Sequence, residues 1–317
     1  MRRVVIPLLR QDTAQVDFGV RRFRLRPGPA RGILQAAAQA FLCGFHAALR
    51  ARALPELAAE VERLPAERRG FAYEGAGMAC GLLDLLTASR GRRFAALLAG
   101  PAARYPHLAQ VGAGWAYARL GLRPRDGIPG ASPPECWLAW DGYGFHQGFF
   151  HPDRVIGRQY VERGLNPDER AIRDQGLGRA LWFHECADPD GIALRIAEFP
   201  AGRRADLWSG AGLAATYAGG ATPHELRHLA ALAGEHRPDL AQGAAFACKA
   251  HHIAGAVPAH TAEAAPVLTG TGVEQAADWT DRSLAALGPA ATGTGHYQRW
   301  RAGIRAQYAA LGHRGDR

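Results

Sequence analysis

Residues 203–219 read RRADLWSGAGLAATYAG, and the same pattern recurs along the chain. The segments YPHLAQVGAGWAYARLG (105–121) and RPDLAQGAAFACKAHHIAG (237–255) align with it. Each begins with polar or proline residues, continues through small residues to aromatic ones, and ends at a glycine. Helix start and stop signals come in this order. The pattern therefore predicts a helix at each copy.

A Gly-x-Gly step lies within the copies and recurs about every 34 residues. The steps begin at Gly75, Gly112, Gly142, Gly176 and Gly210, with a degenerate copy at Gly243 and a divergent first copy around Gly44. Such a period is typical of arrays of helix pairs and resembles the tetratricopeptide repeat. Because glycine costs a helix about 1 kcal/mol relative to alanine, its repeated use indicates that neighbouring helix backbones approach closely. We expect a mostly all-α fold of helix-pair repeats in a curved or closed array.

The chain divides into three parts in this interpretation. Residues 1–30, which end at a Pro-Gly-Pro break, predict an extended N-terminal arm; residues 31–311 predict one helical repeat domain, and residues 312–317 a frayed tail. Shorter apolar segments between the copies predict the second helix of each pair, at residues 93–98, 192–199 and 223–233. Residues 121–134 predict a loop, and residues 273–287 and 297–311 two closing helices anchored in the core by Trp279 and Trp300.

Composition limits the classes of partner and cofactor. The net charge of +9 comes almost wholly from arginine, and the arginines are scattered, which argues against a nucleic-acid surface. We expect neither a signal peptide nor a membrane span. The five cysteines form no CxxC motif and predict free thiols in a reducing cytoplasm. The Gly-x-Gly steps follow no predicted strand and precede no Gly-Lys-Ser/Thr, so we expect no nucleotide cofactor and no cofactor of another kind.

Polar residues directly precede the Gly-x-Gly steps. They are Glu74, Asp141, Gln175, Ser209 and Gln242, with Asp174 one place earlier. Equivalent positions of successive helices line one surface of a repeat array. Aromatic residues on the same helices predict a substrate-binding wall of Trp115, Tyr143, Phe145, Trp182, Trp208 and Phe246.

A carboxylate buried among aromatic rings has a raised pKa and can act as a general acid. The predicted catalytic set is Glu74, Asp141, His146 and Asp174. A second interpretation remains open, in which the aromatic residues form the core and the carboxylates pair with arginines such as Arg173 and Arg179.

The densest polar and aromatic segment is WDGYGFHQGFFH, residues 140–151. Asp141, His146 and His151 could cooperate there, but two residues five apart on a helix diverge by more than a turn. A catalytic role for His146 is therefore favoured over a metal site.

A further motif, His224-Glu225-Leu226-Arg227-His228, matches the zinc-binding pattern H-E-x-x-H. In zinc hydrolases the two histidines bind the metal and the glutamate acts as base. Thr222-Pro223-His224-Glu225 also fits a capping box, which explains the glutamate without a metal. We expect no metal site here, and His224 and His228 are the ligands of the zinc alternative.

The chain resembles a family of unknown function best known from enediyne polyketide gene clusters. The resembling segments are residues 18–23, 41–45, 70–79, 112–116, 141–146, 174–182, 205–213 and 240–246. The resemblance implies a role in natural-product biosynthesis, on a polyene or its cyclised product.

Three functions are compatible with these observations. The first is an enzyme that cyclises or isomerises an apolar polyene-like molecule by acid catalysis. The second is a non-catalytic helical scaffold that binds a polyketide synthase or carrier protein, and the third is a zinc hydrolase. An enclosed apolar pocket near Asp141 would favour the enzyme, and an open groove with charged edges the scaffold.

Overall fold

The computed structural model describes residue 9, residues 11–87 and residues 89–315, with side chains described as far as Leu311. This part of the chain is all-α and contains no β-strand. Its helices are α1 (Phe18–Arg21), α2 (Ala30–Arg50), α3 (Leu54–Glu62), α4 (Ala66–Leu86), α5 (Arg92–Ala99), α6 (Pro106–Arg119), α7 (Leu138–Phe150), α8 (Pro167–His184), α9 (Pro189–Glu198), α10 (Ala201–Ala218), α11 (Pro223–Ala233), α12 (Arg237–Ala254), α13 (Ala259–Thr269), α14 (Val273–Ala285) and α15 (Thr294–Gly315).

Most predicted elements lie where the pattern places them. The predicted second helices correspond to α5, α9 and α11, and residues 122–134 form no helix. The two closing helices are α14 and α15, and both Trp279 and Trp300 are buried. The predicted elements do not include α3 and α13.

The prediction of an extended N-terminal arm is wrong for residues 13–21, whereas residues 23–29 form neither helix nor strand. Residues Thr13–Val16 form a 3₁₀ turn, and α1 follows directly. The carboxylates of Asp12 and Asp17 each precede one of these turns and accept a backbone N–H from it, so both turns are capped. Residues 1–8 and 10 of the predicted arm lie outside the described residues.

The last helix continues to Gly315, past the predicted boundary at residue 311. Residues 316–317 of the predicted tail lie outside the described residues.

The long helices pack side by side in chain order, from α2 through α4, α6, α7, α8 and α10 to α12. The Gly-x-Gly steps form these contacts. In α8, a Cβ atom on Gly176 would lie 1.8 Å from the carbonyl oxygen of Asp141 in α7. A Cβ atom on Gly178 would lie 2.1 Å from the carbonyl oxygen of Leu207 in α10. The first glycine thus admits the preceding helix and the second glycine the following one.

The row of long helices bends until its inner faces meet. The ring of Phe41 in α2 lies 4.5 Å from that of Trp115 in α6, and the ring of Phe71 in α4 lies 5.1 Å from that of Tyr217 in α10. No short α-helix separates α6 from α7 or α7 from α8. The inner face is therefore a packed interior in which polar side chains are enclosed.

Helix α2 is relevant to the prediction that no segment of the chain spans a membrane. By length and composition it is apolar enough to cross a membrane. In the fold, 61% of its most apolar window is buried against the rest of the protein, as in the core helix of a soluble protein, which passes the same test. The described helices are compatible with a soluble protein.

Candidate functional site

Polar side chains from successive long helices form a hydrogen-bonded chain in the interior. The amide nitrogen of Gln175 donates to Asp141 Oδ2 at 2.7 Å. The hydroxyl of Ser209 donates to Gln175 Oε1 at 3.4 Å and to Gln242 Oε1 at 2.8 Å. These are residues that precede Gly-x-Gly steps, so the prediction that equivalent positions share one surface is confirmed.

Arg179 joins Glu74 to Asp141. Its Nη1 lies 2.5 Å from Asp141 Oδ1, and its Nη2 lies 3.6 Å from Glu74 Oε1. Its guanidinium also lies over the ring of Phe145, 4.6 Å from the ring centre. All three charged side chains are buried, so one cation serves two carboxylates in a water-poor environment. The interpretation in which carboxylates pair with Arg179 is thus confirmed.

The two oxygens of Glu74 have different surroundings. Oε1 accepts a hydrogen bond from Trp115 Nε1 at 3.1 Å and faces Arg179, whereas Oε2 is buried with no hydrogen-bond partner. Burial raises the pKa of Glu74 to about 7; Arg179 opposes this shift, and Asp141 adds to it. Because Oε1 already faces two donors, a proton held by this carboxyl group belongs on Oε2. At neutral pH Glu74 can therefore both donate and accept a proton.

Glu74 borders a small cavity that we call the aromatic cavity, of about 20 Å³. Seven aromatic residues line it: Phe41, Phe71, Trp115, Phe145, Phe149, Phe150 and Phe183. Gln11 and Val16 of the N-terminal segment complete its wall. The segment is held by Arg24, which pairs with Asp188 at 2.6 Å, and by Arg26, which pairs with Glu225.

Asp141 and Arg179 border a second cavity of about 40 Å³, which we call the Asp141 cavity. Its walls are largely apolar and include Leu108, Tyr217, Phe246 and Trp300. The group Glu74–Arg179–Asp141 thus contacts an apolar cavity on each side. Since a water needs roughly 10–15 Å³ of such space, each cavity holds only a few waters in this conformation.

His146 lies beside this group but not within it. Its ring packs against Trp115 at 5.6 Å and Phe150 at 4.8 Å, and its Nδ1 is buried without a partner. Burial, with smaller contributions from His151 and Arg119, lowers the pKa of His146 to about 3. The imidazole is therefore neutral at physiological pH.

Asp174 belongs to a separate cluster of arginines. It accepts from Arg203 through both oxygens at 2.7 Å and from Arg173 at 2.9 Å. Arg173 in turn pairs with Glu162 at 3.2 Å. The structure does not bring Asp174 to Glu74 and Asp141, and its oxygens are occupied by guanidinium groups. This pairing agrees with the second interpretation of the sequence, in which the carboxylates pair with arginines such as Arg173.

The six predicted aromatic residues divide into two groups. Trp115 and Phe145 line the aromatic cavity, and Phe246 lines the Asp141 cavity. The other three, Tyr143, Trp182 and Trp208, are buried and line neither cavity. Trp182 Nε1 donates to the carbonyl of Gly219 at 2.8 Å, which indicates a packing role.

The H-E-x-x-H motif begins helix α11 as a capping box. Glu225 accepts from the backbone N–H of Thr222 at 2.7 Å, while Thr222 Oγ1 accepts from the backbone N–H of Glu225. Glu225 also pairs with Arg26, and His228 Nε2 lies 2.8 Å from Asp190 Oδ1. In the described residues, no three His, Cys, Asp or Glu side chains converge as a metal site. The capping interpretation is confirmed and accounts for Glu225.

Sequence reasoning missed Tyr217 and gave Arg179 only a pairing role. Arg179 comes one residue after the glycine step of α8, and Tyr217 lies two turns beyond Gly210 in α10. The position of each residue relative to its glycine step therefore indicated that its side chain faces the interior. Which helices would face each other across the interior could not be read from that position.

Fold and site together define an all-α protein with a buried carboxyl–guanidinium group between two apolar cavities. The chain belongs to a family described as a protein of unknown function (DUF1702), whose sequence model matches residues 1–308. Neither the comparison with curated proteins nor that with solved structures yielded a match.

Proposed function

We propose that this protein is a biosynthetic enzyme that binds an apolar polyene-like molecule in its interior and isomerises or cyclises it by acid catalysis. The observation that carries the proposal is the free, buried Oε2 of Glu74 beside seven aromatic side chains. A pKa of about 7 supplies an acid at neutral pH. The sequence resemblance to enediyne-cluster proteins supports a natural-product substrate.

In the proposed reaction Glu74 Oε2 donates its proton to a double bond of the substrate, leaving a carbocation and a Glu74 carboxylate. Arg179 and Trp115 Nε1 stabilise that carboxylate. The faces of Trp115, Phe145 and their neighbours stabilise the cation. Attack by another double bond closes a ring and leaves a new carbocation, or the first cation remains uncyclised. In both cases a carbon next to the cation loses a proton to the Glu74 carboxylate, and the C–H electron pair forms the new double bond. The reaction therefore conserves the molecular formula.

We further propose that the long helices are helix-pair repeats in a curved, tetratricopeptide-like array. The regular close approach at the glycine steps supports this arrangement. The inner face is enclosed, which favours the enzyme over a scaffold with an open groove.

The decisive experiment is deletion of the gene, followed by complementation. We expect a precursor with the same molecular formula as the missing product to accumulate. The wild-type protein and the control Glu67→Gln, an exposed position in α4, should restore the product, and Glu74→Gln should not. A precursor of different formula, or full restoration by Glu74→Gln, would contradict acid catalysis by Glu74.

Uptake of a polyene requires the cavities to enlarge, and the N-terminal segment is the part of the wall that can move most simply. We expect the double variant Arg24→Ala/Arg26→Ala to bind the methyl ester of a conjugated tetraene fatty acid several-fold faster, measured by stopped-flow fluorescence. Arg22→Ala removes an exposed ion pair to Asp153 and should leave the rate unchanged. Equal rates in all three proteins would show that the ligand enters elsewhere.

A further inference from the structure

A cavity much larger than the two interior cavities lies outside the interior, between α2, α3, α4 and α5. Its volume is about 410 Å³, roughly ten times that of the Asp141 cavity, and it opens to solvent. Small-molecule sites in proteins typically have volumes of about 300–1,000 Å³. Leu54, Leu57 and Leu83 give it an apolar wall.

Three arginines, Arg52, Arg92 and Arg93, also line this cavity, and none of the carboxylates in the described part of the chain does. Arg93 Nε is buried and has no hydrogen-bond partner within the described residues. A buried N–H without an acceptor is costly, so a ligand that supplies an acceptor there would gain free energy.

Two acids lie close to the cavity lining, and both accept backbone N–H groups. Glu56 Oε2 accepts from the backbone N–H of Arg52 at 2.8 Å. The second acid is Asp84. Its carboxylate accepts from the backbone N–H of Phe94 at 2.9 Å and from the hydroxyl of Ser89 at 2.5 Å, and it lines a different cavity. Asp84 therefore caps α5 and does not pair with the arginine side chains. The cavity lining thus combines three guanidinium side chains with leucine side chains.

We propose that this cavity binds an amphiphilic anion, in which a carboxylate or phosphate is joined to a short apolar body. The head group accepts hydrogen bonds from Arg93 and its charge is balanced by Arg52 and Arg92. The apolar body packs against Leu54, Leu57 and Leu83. This site is separate from the Glu74 site and does not depend on the proposed reaction.

Isothermal titration calorimetry of the purified full-length protein tests the proposal with octyl phosphate, octanoate, octanol and inorganic phosphate as probes. We expect at least one octyl anion to bind about tenfold or more tightly than octanol and inorganic phosphate. The tighter of octyl phosphate and octanoate identifies the head group. Arg93→Gln should weaken binding of that probe by about tenfold.

Two further variants separate loss of the site from loss of the fold. Arg52→Gln changes an exposed residue at the cavity and should also weaken binding, whereas Arg227→Gln, an exposed residue of α11, should not. Binding that is equal for octanol and the octyl anions, or that survives both Arg93→Gln and Arg52→Gln, overturns the proposal. So does inorganic phosphate that binds as tightly as octyl phosphate, or the absence of binding by every probe at millimolar concentration.

Discussion

Glu74 and His146 both contact Trp115, and burial shifts both towards their neutral forms. The pKa of Glu74 rises to about 7, because removal of the carboxylate from water costs more than Arg179 returns. The pKa of His146 falls to about 3, because burial disfavours the charged ring and the positive charges of His151 and Arg119 add to this effect. Glu74 can therefore exchange a proton near neutral pH, and His146 cannot. Glu74 is thus the better candidate for acid catalysis, and His146 is suited to packing against Trp115.

The raised pKa of Glu74 makes stability depend on pH in a defined direction. A carboxyl group with a higher pKa in the folded than in the unfolded protein stabilises the fold below about pH 4.5, and this contribution is lost as pH rises through about 7. Glu74→Gln keeps the neutral shape and removes the titration. We expect the unfolding free energy of the wild type, relative to Glu74→Gln, to fall by up to roughly 3 kcal/mol between pH 4.5 and 8.

Urea denaturation at several pH values measures this difference. The lowered pKa of His146 makes stability depend on pH in the opposite direction. Because His146 is present in both proteins, its contribution cancels from the difference in unfolding free energy. The exposed control Glu67→Gln should follow the wild type at every pH. A difference between wild type and Glu74→Gln that does not change with pH would show that Glu74 is ionised throughout.

At the level of helices, glycine is required where two backbones touch and replaceable where they do not. Helix α10 contains both cases. A Cβ atom on Gly210 would lie 1.9 Å from the carbonyl oxygen of Gln175 in α8, whereas Gly202 has no atom within 4 Å of its Cβ position. A backbone carbonyl within a packed helix cannot move aside as a flexible side chain can. The same substitution in one helix therefore has opposite expected effects.

We expect Gly210→Ala to destabilise the protein by about 4 kcal/mol or more, or to prevent folding. Gly202→Ala should be neutral or stabilising by up to about 1 kcal/mol, because alanine favours the helix. Thermal and urea denaturation of the two variants measure these changes. Similar stability of both variants would mean that α8 and α10 can separate without cost.

At the scale of the whole molecule, the last helix closes the polar chain of the interior. Arg301 in α15 donates to Gln242 Oε1 at 2.9 Å and to Asp206 Oδ1 at 2.7 Å. Tyr297 in the same helix is bonded to Gln175 Nε2 at 3.1 Å. The C-terminal helix therefore completes the surroundings of Asp141, which lies more than 150 residues earlier in the chain.

Loss of Arg301 should affect the whole fold, because it leaves Asp206 without its charge partner. We expect Arg301→Ala to lower the unfolding free energy by about 3–5 kcal/mol. Arg299→Ala, an exposed change in the same helix, should cost no more than about 0.5 kcal/mol. Chemical denaturation followed by circular dichroism measures both, and equal stability would mean that α15 is held by apolar contacts alone.

Much of this organisation is predictable from local sequence. The start and stop signals place the long helices, and the positions before the glycine steps select Glu74, Asp141, Gln175, Ser209 and Gln242 as side chains of one surface. These features depend on residues close in sequence, namely caps, helical phase and glycine spacing. The prediction of an extended arm is wrong at residues 13–21 because Asp12 and Asp17 are capping residues that stabilise the two turns following them.

The sequence by itself therefore determined the all-α class, the helix order and the polar phase of each helix, because these depend on local hydrogen bonding and periodicity. Only the tertiary structure decided which carboxylates meet. It placed Glu74 and Asp141 on one arginine. It gave Asp174, which lies one residue earlier relative to its glycine step and therefore about 100° around the helix, to other arginines. It also decided that the inner face is enclosed. Both outcomes depend on how sharply the row of helices bends, and that bend is the sum of many packing contacts between residues far apart in sequence.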